Sequence, residues 1–188
     1  MTIKTNKIYP RDGLPTYVRG TTGSGGGVIQ TVSFPFTGTT QLGGGTLATG
    51  TYYDTGLTAT ITPQSASSKI FVMGHISHNC CNSQQLFLFL NRGGTIVTAA
   101  NGDTDGARRS CWVSGQSNQA DYSDWAVVTT PFHYLDSPNT TSSTVYKVQA
   151  LTATTTTDIY INRSDADRAS TYYDSRAMSN ITLMEVCG

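Results

Sequence analysis

The sequence predicts an all-β fold, a jelly-roll-like β-sandwich preceded by an extended N-terminal arm. Apolar and polar residues alternate with the period of a strand in several segments, and no window of a dozen residues keeps a helical period. The 19 glycines favour turns, and the abundant threonine favours strands. Turn-forming clusters separate roughly nine or ten short strand-like segments, an arrangement typical of sandwiches and jelly rolls.

The segment 54–77 is expected to lie at the centre of this sandwich. Leu57, Ala59 and Ile61 alternate with threonines, so one face of the first strand is apolar. Pro63 and the small polar residues after it predict a turn. The second strand alternates two sets of residues, Ile70, Val72 and Ile76 on one face and Phe71, Met73 and His75 on the other. A strand that is apolar on both faces is usually central and covered on each side.

The other strands are expected in chain order between glycine-rich or polar turns. We predict them at residues 28–36, 85–91, 95–99, 111–113, 124–136, 144–151, 157–162 and 178–187. Residues 37–51 are predicted to form a long loop. Pro131 removes a backbone donor within the 124–136 segment, so that strand is expected to be bent or to lie at a sheet edge. The segment 85–91 is apolar on both faces and is predicted to be covered.

Charge and hydropathy limit the classes of function. The formal net charge is +0 and 13% of the residues are charged, about half the usual share. A nucleic-acid-binding protein usually presents a basic stripe, so we expect no nucleic-acid partner. No apolar run approaches the roughly 18 residues of a membrane helix, and the N-terminus lacks the apolar core of a signal peptide. We therefore expect no membrane partner, and synthesis and folding in a cytoplasm.

Two regions are predicted: residues 1–27 as an arm and linker, and residues 28–188 as the β-sandwich domain. The glycine run at residues 20–27 is typical of a flexible linker. A disordered end is the alternative for the segment before it. We favour a docking arm, because its bulky residues have apolar surface to bury and no period on which to fold alone. The residues expected to dock are Ile3, Ile8, Tyr9, Pro10, Leu14, Tyr17 and Val18.

The polar and thiol residues indicate no catalytic centre, cofactor or metal. Four cysteines without a C-x-x-C spacing are expected to be free thiols: Cys80, Cys81, Cys111 and Cys187. His75 and His78 would point to opposite faces of a strand, so they cannot share one ion. Residues 101–106 match the first half of a calcium loop, but Trp112 stands where a bidentate glutamate is needed. A weak surface cation there stays open.

Two similar tyrosine pairs precede strands. TYYDTG at residues 51–56 and TYYDSR at residues 171–176 are either two similar loops at one end of the sandwich or two exposed aromatic platforms. Tyrosine combines a flat apolar ring with a polar tip, so such platforms would suit stacking against a host glycan. The candidate receptor contacts are Tyr52, Tyr53, Tyr172 and Tyr173.

Five segments together carry a resemblance to a known protein family. In order they are GLTATITPQSASSKIFVM, LFLFLNRGGTIV, LDSPNTTSSTVYKVQA, YINRS and SNITLMEV, within residues 56–186. The succession resembles a β domain that recurs in virion structural proteins of tailed phages, commonly cyanophage-type tail fibres or other surface appendages. More distantly it is similar to C1q/TNF-type trimeric jelly rolls. The resemblance implies a homotrimer attached to the virion through its N-terminus.

The function expected from these observations is that of a trimeric virion surface component, either a head decoration or a tail fibre or appendage. It would assemble in the host bacterial cytoplasm and be anchored to another virion protein by its arm. A receptor-binding knob that recognises a host glycan or protein is the alternative, and a glycan-degrading enzyme is a third. Strands that are apolar on both faces need a second cover, which indicates a shared trimer surface. Its candidate residues are Phe71, Met73, Phe87, Phe89 and Met184.

Overall fold

A computed structural model describes residues 27–45, 47–80, 85–116, 125–152, 159–169 and 172–187. Within these ranges eleven strands form two antiparallel sheets, with short 3₁₀ turns at Gly43–Gly45 and Thr98–Ala100. The predicted all-β sandwich is confirmed. In the same ranges no helix is long and apolar enough to cross a membrane. Of the predicted arm and linker at residues 1–27, residues 1–26 lie outside the described residues.

The first sheet is organised around the long strand β4. Ile70 pairs with Glu185 on one edge of β4 and with Asp136 on the other, so β4 is central as predicted. β11 and β10 follow one another along the first edge, and β8 occupies the second. The strands of this sheet are β1 (Val28–Phe36), β2 (Thr40–Leu42), β4 (Lys69–Cys80), β8 (Val128–Asp136), β10 (Ile159–Ile161) and β11 (Ser179–Val186).

The second sheet has the order β3-β9-β5-β6, and β7 pairs with the free part of the β5 edge. Its strands are β3 (Tyr53–Ile61), β5 (Gln85–Arg92), β6 (Thr95–Ile96), β7 (Val113–Gln116) and β9 (Thr144–Thr152). The chain crosses between the sheets from β2 to β3, from β3 to β4, from β4 to β5, from β7 to β8, from β8 to β9 and from β9 to β10. Repeated crossing of this kind is typical of a jelly roll.

The core lies between the two sheets and follows the predicted alternation. Leu57, Ala59 and Ile61 of β3 face Ile70, Val72 and Ile76 of β4 through a single buried cluster. The inner row of β4 also contains Gly74. A Cβ atom there would lie 2.1 Å from the backbone oxygen of Asn180 and 2.9 Å from the Phe132 ring. Only glycine allows these strands to approach so closely.

Two buried carboxylates close one end of the sandwich, on either side of Ile70. Asp136 on β8 receives two 2.7 Å hydrogen bonds from Arg92 and one of 2.6 Å from the Tyr146 hydroxyl, so it ties the two sheets together. Glu185 on β11 accepts from Gln30 at 2.6 Å and from the Gln64 backbone N–H at 2.7 Å. It thereby holds the turn that joins β3 to β4.

Several predicted elements change in detail. The loop predicted at 37–51 contains the short strand β2, and the strand predicted at 95–99 ends at Ile96 and continues as a 3₁₀ turn. β7 begins at Val113 rather than at residue 111. In the described chain β8, which contains Pro131, pairs with β4 alone and is an edge strand as expected. Cys80, Cys111 and Cys187 form no disulfide among the described residues, as predicted, and Cys81 lies outside them.

Candidate functional site

The residues predicted to form a trimer surface lie on opposite outer faces of the sandwich. Phe71 and Met73 are on β4 and Met184 is on β11, and all three point away from the core of the first sheet. Phe87 and Phe89 are on β5 and point away from the core of the second sheet, whose inner row is Leu86, Leu88 and Leu90. The five residues therefore lie on two faces of the sandwich, and their role in a trimer contact stays a prediction.

The outer face of the first sheet carries a contiguous apolar patch, which we call the Phe71 face. Phe71 pairs directly with Met184 on β11 and with Leu135 on β8, and Met73 follows it along β4. Met73 is 38% exposed and Leu135 is 46% exposed. Leu135 is the fourth member of this patch, and it joins the patch through the pairing of β8 with β4. The Phe71 face thus presents large apolar side chains to solvent on a central strand.

The outer face of the second sheet is covered differently. Phe89 is only 2% exposed although it lies outside the main core cluster. The ring of Tyr52 packs edge-on against it, with 4.9 Å between ring centroids. Phe87 lies under the guanidinium of Arg109, whose central carbon is 5.5 Å from the ring centroid. The second cover expected for β5 therefore comes from the chain's own loops.

Beside these aromatic residues runs a row of polar side chains. Asp54 accepts hydrogen bonds of 2.7 Å from both Lys147 and Gln149, and Gln149 also accepts one of 3.1 Å from Asn91. Burial alone would raise the pKa of Asp54, but the hydrogen bonds from Lys147 and Gln149 outweigh it and lower the pKa. This row makes the face polar where the Phe71 face is apolar.

A groove of about 570 Å³ lies next to the row, between Tyr52 and the loop that follows β6. We call it the Tyr52 groove. Tyr52 and Phe89 form its aromatic side, and the loop supplies its polar side. Its polar side chains are those of Thr98, Asn101, Asp103, Thr104, Arg109 and Ser110. Phe89 and Arg109 are parts of this site that sequence reasoning missed, because only the fold brings them to Tyr52.

The loop that forms the polar side is fixed at its base. The Gly102 N–H donates to the Cys111 backbone oxygen at 2.9 Å, and the Ser110 hydroxyl donates to the Gly102 backbone oxygen at 2.6 Å. Trp112 is bonded to both sheets. Its backbone N–H donates to the backbone oxygen of Leu88 on β5, and its indole N–H donates to the backbone oxygen of His133 on β8, each at 3.0 Å. These bonds fix the base of the loop relative to the two sheets.

The other tyrosine pair forms a separate cluster. Tyr172 is 88% exposed and Tyr173 is 57% exposed, with 6.4 Å between their ring centroids. Tyr173 also packs against Trp125 at 4.4 Å. Tyr53 differs from the other three, because its ring packs against the core and its hydroxyl accepts a hydrogen bond of 2.8 Å from the Ala48 N–H. Of the four candidate receptor tyrosines, Tyr53 is therefore mainly structural.

The two histidines of β4 point to opposite faces of the sheet. His78 points into the core, where burial lowers its pKa to about 4, and its Nε2 lies 2.9 Å from the Thr130 hydroxyl. His75 points outward, as predicted, with Nε2 3.1 Å from the Met178 backbone oxygen. In the calcium-like loop, Asp105 is paired with Arg108 and Asp103 accepts from the Thr104 N–H. Among the described residues no three His, Cys, Asp or Glu side chains converge on a metal position.

Comparison with known proteins gives a distant viral likeness. No family model and no curated protein matches the chain. It is similar to the solved structure of infectious bursal disease virus, Gt strain, at 10% identity and a TM-score of 0.39, over 93% of this chain and 44% of that one. For the Gx strain the identity is 10% and the TM-score is 0.35, over 93% of this chain and 48% of that one. The chain spans less than half of these proteins, and a likeness of this strength carries no argument about function.

Proposed function

We propose that this chain is a structural protein of a bacteriophage virion: a homotrimeric surface component, such as a head decoration or a tail fibre or appendage. The observation that carries the proposal is the Phe71 face. Contiguous apolar side chains on the outside of a sheet usually mark a surface that another protein covers. The resemblance of residues 56–186 to virion proteins of tailed phages supplies the biological setting. The role requires no catalysis.

The partner proposed for the Phe71 face is a second copy of the same chain. Phe71, Met73, Leu135 and Met184 are flanked in the sheet by Thr182 and His133, and Lys69 lies on the same face at the start of β4. The chain as a whole has a formal net charge of +0. A cyclic trimer would bring the three faces together around one axis, with Lys69 at the end of each face.

The position of the first strand supports anchoring through the preceding residues. Val28 at the start of β1 pairs with Val186 at the end of β11, and Val186 pairs with Lys69 at the start of β4. Tyr52 and Tyr172 precede β3 and β11, whose first residues lie at the opposite end of the sandwich. An arm that docks through residues 1–19 into another virion protein would thus leave both tyrosine loops pointing away from the particle.

Sedimentation analysis of the purified chain tests the oligomer. We expect a trimer for the unmodified chain and a folded monomer for Met73→Asp, because a carboxylate cannot be buried unpaired in an apolar contact. The matched control is Thr60→Asp, which places the same carboxylate on an exposed strand position of the second sheet. A stable monomer for the unmodified chain would end the trimer proposal.

Particle incorporation tests the anchor separately. Deleting residues 1–19 should leave a soluble trimer of unchanged melting temperature that no longer appears on purified particles. Three arms from one trimer raise the apparent affinity by about 100-fold or more when their sites lie within reach, so loss of the arm should have a large effect. Normal copy number of the truncated protein on the particle would place the anchor in the β domain instead.

A further inference from the structure

We propose that the Tyr52 groove is a binding site for a neutral saccharide. This inference concerns the outer face of the second sheet and depends neither on the trimer nor on the arm. The groove has a volume of about 570 Å³, which falls in the range of sites that hold small ligands. It combines one exposed aromatic ring with several hydroxyl, amide and charged groups, the combination that a sugar ring requires.

The aromatic side of the groove is suited to the apolar face of a sugar. Tyr52 is 43% exposed, and its edge-on contact with the buried Phe89 ring fixes its orientation. A pyranose presents a row of C–H groups on one face, which pack well against a flat aromatic ring. Because Phe89 is held by the sheet, Tyr52 offers this surface without having to be ordered on binding.

The polar side of the groove is suited to the hydroxyl groups at the edge of the same ring. The Asp103 carboxylate accepts hydrogen bonds and the Arg109 guanidinium donates them, so neighbouring hydroxyls can bridge the two. Neither Asp103 nor Arg109 forms an ion pair within the described part of the chain. With one acidic and one basic side chain the lining is neutral, and a negatively charged sugar bound by Arg109 would be repelled by Asp103.

Asn101 provides a second observation in favour of a ligand at this loop. Its Oδ1 atom is buried and has no hydrogen-bond partner among the residues the structure describes. Such an acceptor is unfavourable when it stays unpaired. Since Asn101 lines the groove, a sugar hydroxyl that entered next to Asp103 could donate to it after a small movement of the loop.

An array of neutral and acidic glycans, probed with the full chain, tests the proposal. We expect the chain to bind neutral hexose-terminated glycans. Saturation-transfer NMR with the methyl glycoside of the bound sugar then measures the contact in solution. Tyr52→Ala and Arg109→Ala should each weaken binding about 10-fold or more, as removal of a central contact does. Asp103→Asn removes the charge at an exposed loop position, keeps the fold, and should also weaken binding.

The chain offers its own matched control. Tyr172→Ala makes the same change in the other TYYD segment and should leave affinity within about 2-fold, since Tyr172 does not line the groove. Tyr52→Phe keeps the aromatic ring and should bind like the unmodified chain. If it does, the weaker binding of Tyr52→Ala is due to loss of the ring and not to loss of folding. The proposal is overturned if no neutral glycan binds, if only acidic glycans bind, or if Tyr172→Ala weakens binding as much as Tyr52→Ala.

Discussion

The central strands of the two sheets share one sequence pattern, but the outer face of one sheet is apolar and that of the other is covered by loops. β4 and β5 both alternate apolar side chains on two faces, and each fills the core with one set. On β5 the second set is covered within the chain, by Tyr52 over Phe89 and by Arg109 over Phe87. On β4 the second set stays on the surface as the Phe71 face.

This difference shows what a strand with two apolar faces can and cannot predict. The pattern requires a cover on each side, because exposed apolar surface is unfavourable in water. It does not say whether the cover is a loop of the same chain or another molecule. The loops after β6 and before β3 are long enough to return over β5, and the described chain places no corresponding loop over β4.

The largest expected effect is a difference in stability when an aspartate is placed on each of the two outer faces. Phe89→Asp should destabilise the folded chain by at least about 3 kcal/mol, because it removes a buried ring and leaves a charge beneath Tyr52. Met73→Asp should leave the monomer folded and affect association alone. Denaturant unfolding of both variants, followed by circular dichroism, makes the comparison. Equal loss of stability would show that the two faces are covered alike.

The next largest effect is expected at Glu185, whose carboxylate holds the turn that connects the two sheets. Glu185→Gln should cost about 1 to 3 kcal/mol at neutral pH, since it weakens the bonds that hold the β3–β4 turn. Burial would raise the pKa of Glu185, but hydrogen bonds from Gln30 and from the turn outweigh it and lower the pKa.

The pH dependence of this change follows from the depressed pKa. The stabilisation is complete above the ordinary glutamate range and is lost as the pH falls through the lower, folded-state pKa. The gap in melting temperature between the unmodified chain and Glu185→Gln should therefore narrow below pH 4. A gap of constant size between pH 7 and pH 3 would mean that the carboxylate charge contributes nothing.

Removing the cover of Phe89 should have a smaller effect. Tyr52→Ala is expected to destabilise the chain by about 1 to 2 kcal/mol, since the lost contact is a half-exposed aromatic pair. Tyr172→Ala, at an 88% exposed ring, should change stability by less than about 0.5 kcal/mol. Thermal unfolding of the two variants under one condition decides the point, and similar losses would mean that Tyr52 covers nothing.

The smallest effect is expected in the polar row of the second sheet. Asp54→Asn should cost less than about 1 kcal/mol, because the ion pair with Lys147 is largely solvated. The pKa of Asp54 is depressed, so its contribution is lost as the pH falls below the ordinary aspartate range. Double-mutant analysis with Lys147→Met measures it, and a coupling above about 2 kcal/mol would contradict this estimate.

Much of the fold could be predicted because its signals are local. The alternation in residues 57–61 and 70–76, the turn at Pro63 and the edge position of Pro131 each depend on a few neighbouring residues. Two-sided apolarity correctly placed β4 at the centre of a sheet. β2 was missed because three residues within a glycine- and threonine-rich loop carry no period, and their strand character comes from pairing with β10.

The sites were harder to predict because they depend on pairing between distant segments. Leu135 joins Phe71 only through the β4–β8 register, and Arg109 reaches the Tyr52 groove only through its loop. Phe89 was assigned to an intermolecular surface because its cover, Tyr52, is separated from it by 37 residues of sequence. The two TYYD segments look alike in sequence, yet Tyr52 of the first borders a groove and Tyr173 of the second packs against Trp125.

The pairing of β1 with β11 has a mechanical consequence. Val28 and Val186 are the first rung of this antiparallel ladder, and the Cys187 N–H bonds to the Gly27 backbone oxygen at 3.2 Å beyond it. In the described chain β1 is an edge strand held by β11 alone. A tether pulling on the residues before Val28, against a load at the opposite end of the sandwich, would act along β1 and stretch the hydrogen bonds to β11 together in shear. If the arm anchors the domain to a particle, tension transmitted along it would be limited by the force needed to shear this one edge strand from β11.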